Sequence, residues 1–182
     1  HEFFVTVHAD GLVPDLPVVR IPDASLYLRA ETNALLCGGW EPEGLSTDPR
    51  GFALTAEPPA IEPDYEVLGW FAEQLAPHLP KVNDLGLRSV FRGWPTFTPD
   101  GRFIIGPSAR VPGFVMAGGC NAHGVSGSAG IGRHVVESMF DDAPSEYVRS
   151  LSPDRFSENG WDWSTARSDA QHYYETYYCL GH

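Results

Sequence analysis

The feature that most constrains the fold of this chain is a glycine-rich segment at residues 118–127, of sequence GGCNAHGVSG. An apolar stretch typical of a strand, residues 114–117, precedes it. The run SAGIGR and then a stretch typical of a helix, residues 134–140, follow it. A strand-to-helix turn directs free main-chain N–H groups and the positive end of a helix dipole to one place. Glycines allow close approach because they lack a β-carbon. The segment therefore predicts an anion-binding turn, with a turn whose glycines serve packing alone as the alternative.

Composition limits the class of protein. The chain has 182 residues, of which 42% are hydrophobic and 20% charged, as is typical of a soluble globular protein of one domain or one and a half. No apolar run approaches the roughly 18–20 residues that a membrane span requires. No pattern of a secretion signal opens the chain. We therefore expect no membrane as a partner.

The charge balance is strongly acidic. The net charge is −12, and Lys81 is the single lysine among the 12 lysines and arginines. Such a surface repels a phosphate backbone, so nucleic acid is not expected as a partner. The cysteine count is odd and the spacing is not that of metal ligands, which predicts free thiols in a reducing, cytoplasmic compartment. These residues are Cys37, Cys120 and Cys179.

The first half of the chain has the pattern of an antiparallel sheet with one helix. Strands are predicted at residues 3–7, 25–30 and 34–40, and a polar turn joins the last two into a hairpin. A loop rich in proline and glycine follows at residues 41–63. A helix is predicted from the N-cap Asp64 to Ala76. Its apolar stripe contains Val67, Leu68, Phe71 and Leu75.

The second half is predicted to contain extended segments around the glycine-rich segment. Residues 87–98 have an extended pattern, and a Pro-Asp-Gly turn at residues 99–101 leads to short strands at 103–106 and 114–117. The tail is dense in tryptophan and tyrosine, and residues 166–178 have the pattern of a short helix. Its aromatic face is expected to pack either on another body or on its own domain.

Two local motifs suggest other classes of site. His134 and Glu137 lie three residues apart, but neither His123 nor a cysteine joins them at ligand spacing, so no metal site is predicted. Residues 124–127, with Ser126, approach the Gly-x-Ser-x-Gly turn of hydrolases without matching it. A hydrolase therefore stays a minor alternative.

Tyr27 and Arg29 are expected on the same side of the predicted strand at residues 25–30. A phenol and a guanidinium on one face can bind a carboxylate through a hydrogen bond and a bidentate ion pair. An ordinary solvent-facing pair is the alternative. His1 is ambiguous by itself because a terminal histidine is also a common tag remnant.

Several segments together carry a resemblance to a known family. These are HEFFVT at residues 1–6, PDASLYLR at 22–29, LCGGWEP at 36–42, FTPDGRFIIGP at 97–107 and GFVMAGGCNAHGV at 113–125. In order and spacing, over about residues 1–156, they resemble the FAD-dependent amine oxidoreductases of the D-amino-acid-oxidase-like family. Within that family they resemble the dimethylglycine and sarcosine dehydrogenases.

The resemblance implies an α+β fold. A mixed, largely antiparallel sheet would form the substrate domain, accompanied by a helix from the C-terminal part of the FAD-binding domain. The implied division is a substrate-binding sheet domain at residues 1–92, a flavin-contacting segment at 93–143 and an aromatic-rich tail or linker at 144–182.

The resemblance also implies the activity and the site. The implied reaction oxidises a small secondary or tertiary amine, such as dimethylglycine or sarcosine, by hydride transfer to FAD. His1 and Tyr27 would be catalytic, and Arg29 would bind substrate. The flavin carbonyl, where negative charge develops on reduction, would meet backbone N–H groups of the glycine-rich segment. The residues implied there are Gly119, Cys120, Asn121, Ala122, His123, Gly124 and Val125.

Two departures from the family pattern lead us to expect a fragment. No Gly-x-Gly-x-x-Gly after a strand is present, so the dinucleotide-binding segment that holds most of the FAD is expected before residue 1. A tetrahydrofolate-binding domain, which often continues these enzymes, is expected after the tail. The isolated chain is then expected to be inactive. A non-catalytic or regulatory relative of the same fold is the alternative function.

Overall fold

The computed structural model describes residues 1–53, 57–157 and 161–179. The predicted loop at 41–63 and the predicted tail at 144–182 each extend over residues outside these ranges. The chain forms two compact units. The first contains residues 1–94 together with the residues from Glu175 onwards, and the second contains residues 95–174. The three-part division predicted from the sequence stays a prediction.

The first unit is built on a five-stranded sheet of order β2-β3-β4-β1-β5. Its strands are β1 (Glu2–Thr6), β2 (Val19–Ile21), β3 (Leu26–Glu31), β4 (Ala34–Gly39) and β5 (Leu87–Arg92). Each neighbouring pair is antiparallel. The predicted hairpin is present as β3 and β4, in which Tyr27 lies opposite Gly38.

Helix α1 (Tyr65–Leu75) covers one face of this sheet. The Asp64 side chain caps it by accepting hydrogen bonds from the main-chain N–H groups of Glu66 and Val67. Apolar residues at helical spacing then meet the sheet, and burying each of them contributes about 1.5–3 kcal/mol. The buried core contains Phe4, Leu26, Leu35, Cys37, Leu68, Phe71, Leu75 and Val82.

The opposite face of the sheet, called the far face below, carries the alternate residues of the same strands. A smaller cluster of Phe3, Val5, Tyr27, Ala34 and Leu36 lies there. Phe91 of β5 stacks on Phe3 with ring centroids 5.0 Å apart. The period-two alternation predicted for residues 25–30 is therefore observed, because Leu26 enters the core and Tyr27 faces away from it.

The second unit contains a two-stranded antiparallel sheet, β6 (Ile104–Pro107) with β7 (Val115–Gly118). The helices that follow are α2 (Ser128–Phe140), α3 (Glu146–Arg149) and α4 (Trp163–Glu175). Within this unit the Arg155 guanidinium binds the Asp100 carboxylate, with Nε 2.8 Å from Oδ2. This ion pair ties the Pro-Asp-Gly turn to the segment after α3.

Helix α2 begins six residues earlier than the predicted start at residue 134, so that boundary was wrong. Glycine lowers helix propensity, so the run SAGIGR has a weaker helix pattern than residues 134–140. In the structure Gly130 and Gly132 lie inside α2 and face open space, so they cost conformational entropy but no packing. The glycine-rich segment consequently leads directly into the helix.

No helix in the described ranges is long and apolar enough to cross a bilayer. No group of three or more histidine, cysteine, aspartate or glutamate side chains among the same residues could hold a metal ion.

Candidate functional site

His1 and Tyr27 meet on the far face of the first unit. The His1 Nε2 atom lies 3.0 Å from the Tyr27 hydroxyl oxygen, which is hydrogen-bonding distance. β1 and β3 are not neighbours, since β4 lies between them. The sheet order, together with side-chain length, thus brings two distant residues together. Both belong to the predicted site.

Gly38 makes room for Tyr27. A β-carbon at position 38 would lie 2.5 Å from the Tyr27 ring carbon that carries the hydroxyl, and 2.8 Å from Cβ of Phe3. The tyrosine ring therefore lies directly over the β4 backbone. Burial is the main reason why the pKa of the Tyr27 phenol is raised above its ordinary value of 10. The phenol therefore keeps its proton at neutral pH and can donate to a neutral imidazole.

Aromatic rings pack around His1, an arrangement that the sequence did not predict. The His1 ring stacks on Trp40 with centroids 4.3 Å apart, and Trp40 stacks on Tyr177 at 4.1 Å. Trp40 is buried. The sequence contains a tryptophan at the end of a strand pattern and a tail rich in tyrosine. No local pattern indicates that these two features contact each other.

Two buried carboxylates lie near the start of β1. Glu2, which is 1% exposed, accepts a hydrogen bond at Oε2 from the Asp64 N–H, and its Oε2 is 3.9 Å from Arg92 Nε. Burial raises the pKa of Glu2, whereas that hydrogen bond and Arg92 oppose the change. Glu41 lies 3.8 Å from the main-chain nitrogen of His1. The main-chain nitrogen of His1 therefore lies beside a buried carboxylate.

Arg29 lies on β3, two residues after Tyr27. Its guanidinium is paired with Glu31, with Nη2 2.6 Å from Oε2, and about half of its side chain is exposed. A substrate carboxylate that binds Arg29 has to compete with Glu31 for the same donors. Its substrate-binding role stays a prediction.

The glycine-rich segment forms the turn between β7 and α2 in the second unit. Gly119, Asn121 and Ala122 all have left-handed backbone conformations, with φ of +57°, +45° and +59°. At position 119 a β-carbon would lie 2.5 Å from Thr98 Cγ2, so glycine is required there for space as well. Ala122, which has a β-carbon in this left-handed conformation, is therefore strained.

Asn121 holds the turn in place from within. Its side chain is buried, Oδ1 accepts from the Thr98 N–H at 2.9 Å, and Nδ2 donates to the Gly119 carbonyl at 2.7 Å. Its own N–H donates to the carbonyl of Thr96 at 3.1 Å. The network makes Asn121 an internal support of the turn. Direct flavin contact by its side chain would require these bonds to break.

Main-chain N–H groups of the turn, among them those of Ala122, Gly124 and Val125, are available to an external acceptor. Within residues 1–53, 57–157 and 161–179, no group accepts a hydrogen bond from the N–H of Ala122, Gly124 or Val125. Ala122 and Val125 are exposed, with Val125 at 93%. Cys120 is half-buried. These features are those of a backbone site for a carbonyl or anionic oxygen.

His123 and Ser126 are held by the backbone of the same turn. The His123 Nδ1 atom is 2.9 Å from the Asn121 carbonyl oxygen, and the Ser126 hydroxyl donates to the His123 carbonyl at 3.3 Å. The nucleophile of a hydrolase needs an adjacent base, and these two side chains are not bonded to each other in the described structure. The geometry gives the hydrolase alternative no support.

The family described as FAD dependent oxidoreductase (DAO) matches residues 2–138. The match covers well over half of the chain, which therefore belongs to this family. A solved structure, the L-proline dehydrogenase from P. horikoshii, has the same fold. It superposes with a TM-score of 0.64 over 89% of this chain and 40% of its own, at 19% identity.

Curated relatives are similar in sequence over most of this chain. The 4-methylaminobutanoate oxidase (formaldehyde-forming) of Paenarthrobacter nicotinovorans is 29% identical over 87% of this chain. Human mitochondrial sarcosine dehydrogenase is 27% identical over 92%. The mouse mitochondrial pyruvate dehydrogenase phosphatase regulatory subunit is 28% identical over 80%. This chain spans only 19%, 18% and 16% of these three proteins, respectively.

Proposed function

Because the chain belongs to a family of FAD-dependent oxidoreductases, we propose that it forms the substrate-binding part of an enzyme that oxidises a small N-methylated amine. Dimethylglycine and sarcosine represent the substrate class. The proposal includes a dinucleotide-binding segment before residue 1 and a tetrahydrofolate-binding domain after the tail. The share of the relatives' lengths that this chain spans supports a longer enzyme. The isolated chain is accordingly proposed to be inactive.

The glycine-rich turn fits a flavin ring. The N–H groups of Ala122, Gly124 and Val125 have no acceptor among the described residues, and the isoalloxazine ring carries carbonyl oxygens at its pyrimidine end. These three groups, together with the start of α2, would hold that end of FAD. When bound, FAD supplies the hydride acceptor for the carbon next to the amine nitrogen. N–H donors aimed at a carbonyl stabilise the negative charge that develops there.

The names of two relatives support the substrate class. One is named for 4-methylaminobutanoate and the other for sarcosine, and both compounds carry a methylated amine and a carboxylate. The substrate class, rather than one compound, is therefore proposed.

His1 and Tyr27 are proposed to keep the substrate amine neutral. A protonated ammonium has no lone pair to assist loss of hydride from the adjacent carbon, so its proton has to leave first. The Tyr27 hydroxyl can take that proton while it gives its own to Nε2 of His1, across the observed 3.0 Å. The raised pKa of Tyr27 disfavours a free phenolate, so the two proton movements are coupled.

The rest of the far face is proposed to orient the substrate. Arg29 would bind the carboxylate after releasing Glu31, because a guanidinium offers two parallel donors. The apolar rings of Phe3 and Phe91 would exclude water from the reacting carbon. The chain's own residues thus bind, deprotonate and shield the amine.

The hydrogen bond between His1 and Tyr27 is the observation that carries the proposal. The test is turnover of dimethylglycine and sarcosine by the full-length enzyme with Tyr27→Phe and, separately, His1→Gln. Each change should lower kcat/KM by about 10²–10⁴-fold, the range of general acid–base catalysis. The exposed Tyr65→Phe on α1 is the matched control and should leave turnover unchanged. Unaffected turnover in both site variants would refute the assignment.

A regulatory relative without catalysis is a second candidate. The similarity to the pyruvate dehydrogenase phosphatase regulatory subunit favours it. The discriminating measurement is anaerobic bleaching of the flavin by added amine in the full-length protein. Bleaching supports the enzyme, whereas a bound flavin that no N-methylated amine reduces supports the regulatory function.

A further inference from the structure

Residues 175–179 of the tail return to the first unit and contact the end of β4. The Tyr177 ring stacks on Trp40 with an interplanar angle of 28°, and the Tyr178 ring meets Trp40 edge-on with centroids 6.1 Å apart. Tyr177 is partly buried, and burial raises the pKa of its phenol. The Tyr177 ring therefore packs face to face against the Trp40 ring.

Two further contacts attach the same tail residues to the first unit. The Glu175 carboxylate accepts a hydrogen bond at 2.9 Å from the main-chain N–H of Gly44, 131 residues away in sequence. The Arg20 guanidinium lies over the Tyr178 ring, 5.5 Å from its centroid. Attachment on either side of Tyr177 fixes the position of its ring.

Trp40 transmits this position to His1. The indole stacks on the imidazole with an interplanar angle of 21°, and the imidazole bonds to Tyr27 through Nε2. Because the indole lies against one face of the imidazole, a shift of the indole would remove that contact and allow the imidazole to tilt away from the phenol. Tyr177, Trp40, His1 and Tyr27 thus form one continuous series of contacts.

We infer that Tyr177 is a positioning residue for His1, acting through Trp40. The inference rests on the proposed function for its catalytic meaning. The tail, although far away in sequence, sets the plane of the His1 imidazole. What matters at position 177 is a flat ring rather than the hydroxyl, because the observed contact with Trp40 is ring stacking.

The first test is kinetic and uses the full-length, flavin-loaded enzyme. Tyr177→Leu should slow amine-dependent flavin reduction at saturating substrate by about tenfold or more, and should move the pH profile, because a displaced base loses its reacting geometry. Tyr177→Phe, which keeps the ring, should restore the wild-type rate and profile. Tyr178→Leu is the comparison variant: it removes a neighbouring ring that meets Trp40 only edge-on and leaves the stacked Tyr177 ring in place, so its effect should be clearly smaller.

The second test is independent of the substrate. The imidazole Cε1–H resonance of His1 is followed by NMR during a pH titration of the full-length enzyme carrying ¹³Cε1-labelled histidine, and it is identified by its loss in His1→Gln. Tyr177→Leu should shift this resonance and its titration midpoint, whereas the other histidine resonances stay in place. Tyr177→Phe should leave the His1 resonance close to its wild-type position, and Tyr178→Leu should shift it clearly less than Tyr177→Leu does.

Unchanged kinetics and an unchanged His1 resonance in Tyr177→Leu would overturn the inference. So would changes of equal size in Tyr177→Leu and Tyr178→Leu, which would indicate general loosening of the tail. If Tyr177→Leu does not fold, Tyr177→Met, which fills the space without a flat ring, replaces it under the same criteria. If no amine reduces the flavin, the proposed function fails by itself, and the NMR titration still decides the role of Tyr177.

Discussion

The ring of Tyr27 lies over the backbone of Gly38, so that a β-carbon at position 38 would be 2.5 Å from the ring carbon bearing the phenol oxygen. Gly38→Ala should therefore displace Tyr27 from His1 and lower the free energy of unfolding by about 1–3 kcal/mol through overpacking. Urea denaturation gives the stability. Amine-dependent flavin reduction gives the functional loss, which should exceed what the lost stability explains.

Gly69 offers the matched control for this change. It lies on the exposed side of α1, where a β-carbon would meet no atom within 4 Å. Gly69→Ala should raise the free energy of unfolding by about 0.5–1 kcal/mol, because alanine restricts the unfolded chain and favours the helix. Equal effects of the two alanines would contradict the steric account of Gly38.

Asn121→Gly should weaken the glycine-rich turn without adding backbone strain. Glycine tolerates the left-handed conformation, so the loss reports the hydrogen bonds to Thr98 and Gly119. Leaving the buried Thr98 N–H without its acceptor should cost about 1–3 kcal/mol in urea unfolding. The full-length enzyme should also bind FAD more weakly, as measured by flavin release on dilution.

Ala122→Gly, one residue later, should not lower the free energy of unfolding. Ala122 has φ of +59°, a conformation that costs a non-glycine residue about 1–2 kcal/mol. Ala122→Gly should therefore leave stability unchanged or increase it, while its N–H remains available to the flavin. A destabilisation as large as that of Asn121→Gly would contradict both the strain at Ala122 and the assignment of the Asn121 loss to its side-chain hydrogen bonds.

The ion pair between Asp100 and Arg155 should make the free energy of unfolding depend on pH in the acid range. Burial acts to raise the pKa of Asp100, but the hydrogen bonds from Arg155 and from the Arg102 N–H outweigh it and lower the pKa below 3.8. The stabilisation is fully present above that value and disappears as pH falls through the lower, folded-state pKa. In urea titrations between about pH 5 and pH 2, Asp100→Asn should flatten this dependence. The exposed Asp15→Asn should not.

The thiols should differ sharply in reactivity. Cys37 is buried in the core beneath α1, and burial raises its pKa to about 12. Cys179 is exposed. A thiolate reagent at pH 8 should label Cys179 rapidly and Cys37 only after unfolding, as read by peptide mass spectrometry. Labelling of both at one rate in the native chain would contradict the packing of β4.

Local patterns in the sequence were sufficient for most of the elements. Alternation identified β3 and assigned Tyr27 and Arg29 to one face, because a strand has a side-chain period of two. The Asp64 cap and the apolar stripe identified α1, because a helix repeats every 3.6 residues. The predicted start of α2 was wrong, because Gly130 and Gly132 lower the local helix propensity and are nevertheless part of the helix. The resemblance to the flavoprotein family rested on order and spacing, which are also properties of the sequence.

The site depended on tertiary structure. Nothing local indicates that position 1 bonds to position 27, because that contact depends on β4 lying between β1 and β3. The same holds for Tyr177 on Trp40 and for the engagement of Arg29 by Glu31. The sequence by itself determined which residue types and faces were available. The order and register of the strands, and the packing of rings over a glycine, selected the atoms that meet.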